Sequence, residues 1–443
     1  MLKKILHRLR HRTRALSENV LLRPDSLWYS QLLRRLSLSL FGGQLSLYRK
    51  KSIGALWLSP SSHVKHAALF GISHNINHLG NVYAFHHSQL GISQKIEYQV
   101  IEWLKGLLHT QQQDNLEGYI TAGGTESNLY LLWLGREYLR AKGVKDISLF
   151  STSLTHYSVR KSAQILDISH SLTALNASTL VMDPPALYKT VDAFLNNNPQ
   201  QGVLLCFTLG YSSTGGCDPV ADLLLVIKKL HKKYPKAHFY TWIDASMQGL
   251  PLLFLDPDLK TSPPFSNQYV FGYCVDFHKF GGTPLPSGVV LYRSKLRRLV
   301  EHSIDYLFEK DNTLLGSRPG FAALCIWEQI NSRSTSNWQR HFKYLQSQKN
   351  QWLQRCQTEC PNVRVITHEH SLTLGLCLPK QVRLPPQMEE KYSLHKGKTE
   401  CLLPSGEYLS LEHYKIHFSQ PAVWDFLREL SYLLNPNRSI KVR

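Results

Sequence analysis

Between residues 92 and 300 two hydrophobic rhythms alternate along the chain. Ile92, Ile96, Val100, Leu104 and Leu107 recur at helical spacing and mark one apolar face, and Leu129 to Tyr138 belong to a second helix. Between such stretches lie short, nearly continuous apolar runs: Ile147-Ser-Leu-Phe, Val203-Leu-Leu-Cys-Phe, Phe239-Tyr-Thr-Trp-Ile, Tyr269-Val-Phe and Val289-Val-Leu-Tyr. Runs without polar alternation predict strands covered on both faces. Strands alternating with helices predict an α/β fold, a largely parallel sheet wrapped in helices, with any ligand at the carboxyl ends of the strands.

After about residue 315 the rhythm changes. Helices near Phe321–Ile330 and Asn337–Gln357, strand-like Val363–Thr367, Leu372–Leu378 and His413–Phe418, and a closing helix Ala422–Leu434 predict a smaller α+β lobe. The charged, proline-bearing stretch 379–406 predicts a loop within it. At the front, Leu2, Leu6, Leu9, Thr13 and Leu16 with basic residues between them predict an amphipathic helix. The expected division is an extension 1–64, a large α/β domain 65–315 and a small domain 316–443.

The 443 residues, 43% hydrophobic and 19% charged, exclude a disordered chain, and no apolar run is long enough to cross a bilayer. Charge is uneven: residues 1–51 hold twelve Lys or Arg against Glu18 and Asp25, which is +10 of the net +19. Such a front end suits peripheral contact with anionic lipid, an organelle address or plain docking on the protein; no nucleic-acid partner is expected. The eight cysteines show no paired CxxC pattern and read as reduced, buried thiols, with no metal site. The start lacks an export-type apolar core, so a cytoplasmic location is the default expectation.

Five segments carry candidate chemistry. Gly118-Tyr-Ile-Thr-Ala-Gly-Gly-Thr-Glu-Ser-Asn128 takes a strand end through two glycines into a helix, an arrangement that offers free N–H groups to a phosphate or simply makes a turn. Thr155-His156 opens another helix, where the imidazole either stacks on an aromatic ligand or packs internally. Leu209-Gly-Tyr-Ser-Ser-Thr-Gly-Gly-Cys-Asp218 follows a buried strand and either lines a site or builds a turn. In Trp242-Ile-Asp-Ala-Ser246 a carboxylate ends an apolar strand and needs a partner, a protonated ring nitrogen or an ordinary cation. In Asp276-Phe-His-Lys-Phe-Gly-Gly-Thr-Pro-Leu-Pro-Ser-Gly288, Lys279 sits between a strand and a rigid turn, as a lysine nucleophile toward carbonyls would.

Taken together and in this order, the five segments resemble the group II decarboxylases dependent on pyridoxal 5'-phosphate (PLP), most closely the histidine and serine decarboxylase branch. The likeness runs over roughly residues 65 to 335, with His78-Leu-Gly-Asn81 and Asp311-Asn-Thr-Leu-Leu-Gly-Ser-Arg-Pro-Gly320 adding to it. The resemblance implies a fold-type I, aspartate-aminotransferase-like homodimer with active sites at the subunit interface, converting an L-amino acid to its amine and CO2. It implies that Lys279 carries PLP as a Schiff base, Asp244 keeps the pyridine nitrogen protonated, His156 stacks on one ring face and Ala245 packs on the other. Gly124, Thr125 and His278 would contact the phosphate, and Ser212 would lie near the ring. Tyr306 would return a proton to Cα, and Arg318 would assist the neighbouring subunit's site. The chain departs from the family at Asp276 (Ser or Asn), Phe277 (Gly), Ser287 (Cys), Tyr211-Ser212 (Thr-Thr) and Phe321 (His). A second negative charge at Asp276 is expected to weaken PLP binding. The alternatives are another PLP lyase or aldehyde-forming enzyme, and a catalytically impaired relative acting as a basic interaction protein.

Overall fold

The computed structural model describes residues 51–435 apart from 57, 85–90, 109–114 and 306–308, together with a few positions between 39 and 50. The expected front helix at 2–16, and nearly all of the basic extension, lie outside the described residues.

Helix α1 (Ser62–Ser73), strand β1 (Asn77–Leu79) and helix α2 (Gly91–Leu107) precede a central sheet. Its strands are β2 (Leu116–Thr121), β3 (Ile147–Ser151), β4 (Ser169–Leu172), β5 (Gly202–Thr208), β6 (His238–Asp244), β7 (Val270–Asp276) and β8 (Gly288–Arg293). Helices α3 (Gly124–Arg140), α4 (Tyr157–Ile165), α5 (Pro184–Asn197), α6 (Val220–Lys233) and α7 (Gly249–Leu255) connect them. The strand order is β2-β8-β7-β6-β5-β3-β4. All neighbours from β7 to β4 run parallel, while β8 is antiparallel to both β7 and β2.

The apolar runs explain this sheet. Every residue of β5 is buried, and alternate side chains serve opposite faces. Val203, Leu205 and Phe207 enter one core with Phe239 and Ile243 of β6, while Leu204 and Cys206 enter the other with Tyr240 and Trp242. Helices α2, α5, α6 and α7 cover the first face, and α3 and α4 cover the second. A strand with no polar face fits only such a sandwiched position.

Two short ribbons follow, β9 (His302–Ile304) with β10 (Glu309–Asp311), and β11 (Ser317–Pro319) with β1. Helix α8 (Gly320–Asn331) sends Ala322, Ala323 and Ile326 into the large core. Helix α9 (Thr335–Glu359) joins the lobes, with Trp338 and Phe342 in the large core and Trp352 and Cys356 in the small one. The small lobe is an antiparallel sheet, β12-β13-β15-β14, of β12 (Arg364–Ile366), β13 (Thr373–Cys377), β14 (Lys396–Leu402) and β15 (Tyr408–His417). Helices α10 (Pro386–Tyr392) and α11 (Ala422–Leu434) complete it.

The loop expected over 379–406 is corrected here. That stretch contains α10 and β14, and β14 pairs with β15 from Lys396↔Tyr414 to Leu402↔Tyr408. It is an edge strand whose charged residues Lys396, Lys398 and Glu400 are exposed, so its composition conceals it; lysines also guard such an edge against pairing with other chains. None of the eight cysteines is in a disulfide, seven of them are buried, and among the described residues no helix is long and apolar enough to cross a membrane.

Candidate active site

The chemistry gathers where the parallel strands end. Asp244 terminates β6 with 4% of its surface exposed, and both its oxygens have donors. Asn128 Nδ2 donates to Oδ2 at 2.8 Å and the Ser246 backbone N–H to Oδ1 at 3.0 Å, with the Cys274 thiol 3.7 Å away. Asn128 is itself fixed, because its Oδ1 accepts from Trp242 Nε1 at 2.9 Å. A buried carboxylate so held keeps its orientation without a cationic partner beside it.

The neighbouring strand β7 ends at Asp276 and leads into a tight turn, Phe277–Gly281, which carries His278 and Lys279. Lys279 is half-buried, and its charge acts on Asp276, His278, His156 and Lys415, which are its near neighbours. His278 Nδ1 donates to the Ser287 carbonyl at 3.1 Å; burial and Lys279 together push this imidazole down to about 4, so it is neutral. Its 3.4 Å approach to Asp276 Oδ2 is therefore not an ion pair at neutral pH.

Beside them β2 passes through Gly123, at φ +139°, into α3. A Cβ on Gly124 would stand 2.3 Å from Ser246 Oγ, and one on Gly288 would stand 2.6 Å from Thr121 Oγ1, so glycines alone allow this approach. Glu126 locks the turn by accepting from the Ala122 N–H at 2.7 Å. At the start of α3 the Gly124 N–H is directed at the Asp276 carboxyl group, and a helix start is a position that favours an anion.

His156 caps α4. The Ser158 N–H donates to its Nδ1 at 3.3 Å, which leaves the hydrogen on Nε2. Burial holds this imidazole below its usual value, with Asp244 opposing, so it presents a neutral ring. Ala245, directly after Asp244, is fully buried. Thr125 is exposed on the first turn of α3, and Ser212 is half-buried in the segment after β5. In that segment Tyr211 and Asp218 serve the turn: Tyr211 OH donates to Asp218 Oδ1 at 2.7 Å, and Asp218 accepts the N–H groups of Thr208 and Met182. Tyr306 lies outside the described residues. Arg318, expected to serve a neighbouring subunit, is 3% exposed and pairs with the buried Glu97 of its own chain, lying 5.3 Å over the Tyr119 ring.

Two residues of the opening escaped the sequence reading. Asn128 closes the first quoted motif, and its spacing of four from Gly124 on a helix puts it on the face turned to Asp244. Lys415 comes from the small lobe. On β15 it shares a face with His417, which is hydrogen-bonded to Thr373 Oγ1 at 2.8 Å and whose ring lies 6.3 Å from that of Phe280, next to Lys279. A lysine in register with buried neighbours on both sides, His413 and His417, was the available signal.

These residues fit PLP. Asp244 offers an oriented carboxylate for a protonated ring nitrogen, Lys279 an amine for an aldehyde, His156 a flat neutral ring, and the Gly123-Gly124 turn a cradle for a phosphate. No protein-family model matches the chain. In structure it superposes on the L-methionine decarboxylase of Streptomyces sp. 590 with a TM-score of 0.77 and 17% identity, over 90% of this chain and 94% of that one. The fold is accordingly that of the fold-type I PLP enzymes. In sequence the chain is similar to group II amino-acid decarboxylases. It is 30% identical over 263 residues to a histidine decarboxylase of Vibrio campbellii, covering 59% of this chain and 64% of that one. It is 28% identical over 263 residues to serine decarboxylase 2 of Oryza sativa subsp. japonica, covering 59% and 52%. The chain thus spans less than two thirds of the length of these curated relatives.

Proposed function

We propose that the chain holds PLP on Lys279 and removes the carboxyl group of an L-amino acid, releasing CO2 and the amine. The observation that carries this reading is the pairing of strand ends: Lys279 follows β7 while the braced carboxylate of Asp244 ends adjacent β6. PLP, when bound, supplies an electron sink for the pair left at Cα when a bond to that carbon breaks. Lys279 would hold the cofactor through its aldehyde, and Asp244 would keep a proton on the ring nitrogen. His156 and Ala245 would flank the ring, with Ser212 near it. Gly124, Thr125 and His278 face the phosphate. Lys415 receives the substrate carboxylate, and Tyr306 returns a proton to Cα. Because the similar proteins are histidine and serine decarboxylases, a small polar or aromatic side chain is the favoured substrate class.

The test is incubation of the purified chain and PLP with a panel of L-amino acids, following CO2 and the organic product, with Lys279→Ala as control. Amine and CO2 in equal amounts support the reading. An aldehyde product would move the chain to the aldehyde-forming lyases, and no product with any amino acid would contradict decarboxylation.

A homodimer belongs to the same proposal. On α1, Leu69, Phe70 and Ile72 are 64%, 53% and 61% exposed, an apolar run that a second copy would cover. Light scattering that reports a monomer at working concentration would contradict it. Cytoplasmic placement and peripheral lipid contact through residues 1–51 complete the proposal, and sedimentation of the full chain with anionic vesicles tests the lipid contact.

A further inference from the structure

The anion position at the start of α3 is already faced by a carboxylate. Asp276 is 3% exposed, and its neighbours form the cradle itself: a Cβ on Gly288 would lie 2.8 Å from Oδ1, and one on Gly124 would lie 3.3 Å from Oδ2. The Gly124 N–H is directed at this carboxyl group, yet Oδ1 is buried with no hydrogen-bond partner. His278 Nε2 lies 3.4 Å from the other oxygen, Oδ2, and belongs to a neutral ring whose hydrogen sits on Nδ1, so it offers a lone pair rather than a donor.

Among the described residues, the charged and titratable groups packed around Asp276 are few. From its own turn come Lys279 and His278, and from the end of β6 comes Asp244. The Cys274 thiol on β7 is pushed well above its usual value by burial and is neutral. Ser246, Thr121 and the glycines of α3 and β8 add no charge. One cation and one other carboxylate therefore bear on this group, and an ionised Asp276 would oppose a phosphate at the same helix start.

Resting on the PLP reading above, we propose that Asp276 is a phosphate ligand in its protonated form: its O–H donates to a phosphate oxygen, and the cofactor binds together with one proton. The carboxyl group then does the work of a hydroxyl or amide donor, and protonation removes the cost of a buried charge whose Oδ1 has no donor among the described residues. Burial supports this, since it pushes Asp276 up to about 7 against the pull of Lys279 and the Gly124 N–H.

The experiment uses pyridoxine 5'-phosphate, which carries the ring and the phosphate but no aldehyde for Lys279. Calorimetric titration of the full-length chain and of Asp276→Asn, at about pH 6 and about pH 8 in buffers of different ionisation heat, gives affinity and proton uptake together. The wild type is expected to bind about tenfold more weakly at the higher pH and to take up close to one proton more than the variant there. Asp276→Asn is expected to lose that dependence and to bind more tightly than wild type at about pH 8. Ring and phosphate titrate alike in both proteins, so they cancel in the difference. Equal pH profiles and equal proton uptake in the two proteins would overturn the proposal. So would a variant that binds more tightly by the same factor at both pH values, because that is the behaviour of a permanently ionised, merely repulsive carboxylate. If Asp276→Asn does not fold, proton uptake by the wild type alone decides, since none at about pH 8 overturns it. Failure of both folded proteins to bind this ligand or PLP at either pH would instead remove the PLP reading itself.

Discussion

Asp244 and Asp276 end adjacent strands of one sheet and are equally buried, at 4% and 3% exposure, yet the sheet treats them in opposite ways. Asp244 receives Asn128 on one oxygen and the Ser246 N–H on the other. Asp276 has the Gly124 N–H, a neutral imidazole and one oxygen with nothing to accept from. The contrast teaches that burial alone does not set what a carboxyl group does; the donors around it do. Glu97 marks the far limit. Burial works to raise it, but Arg318 and His78 hold it down to about 2.

Substitutions sharpen that comparison. Asp244→Asn should reduce amine formation by about 10²-fold or more, because an amide holds no proton on a ring nitrogen, while PLP absorbance persists. Glu97→Gln should cost roughly 3–5 kcal/mol in urea unfolding, because it leaves Arg318 buried without its counter-charge. The stabilisation from Glu97 is full above about pH 4.5 and fades as pH falls toward about 2, since its folded value lies below its free one. Asp276 has the opposite sign. Its folded value is raised, so the cofactor-free chain loses stability as pH climbs from the ordinary carboxylate range through about 7. Asp276→Asn should therefore stabilise the cofactor-free protein by about 4 kcal/mol near pH 8 and by almost nothing near pH 4, as read by denaturant midpoints. The smallest effect belongs to Lys415→Met, which should raise KM for the amino acid by about tenfold while PLP attachment is unchanged.

The sequence reveals these features unevenly, for physical reasons. The central strands are legible because a strand covered on both faces must be apolar throughout, as Val203 to Phe207 are. The edge strand β14 is not, since Lys396, Lys398 and Glu400 face solvent and carry no burial signal. Within the site, residues fixed by chain-local geometry could be read: Asp244 at a strand end, the Gly123-Gly124 turn, and Lys279 before its glycines. Asn128 and Lys415 carry only weak local signals, because each meets the site through packing between elements far apart in sequence, α3 against β6 and the small lobe against the large. Asp276 stood out only as a departure from the family. Its orphaned oxygen needed the folded cradle to appear.

Borohydride reduction of the PLP-loaded chain, followed by peptide mapping, addresses the proposed reading at its base. A pyridoxyl adduct on the peptide that contains Lys279, absent from Lys279→Ala, is the predicted result. A chain that takes up no PLP, or that carries the adduct on another lysine, would contradict the assignment of this opening as the cofactor site.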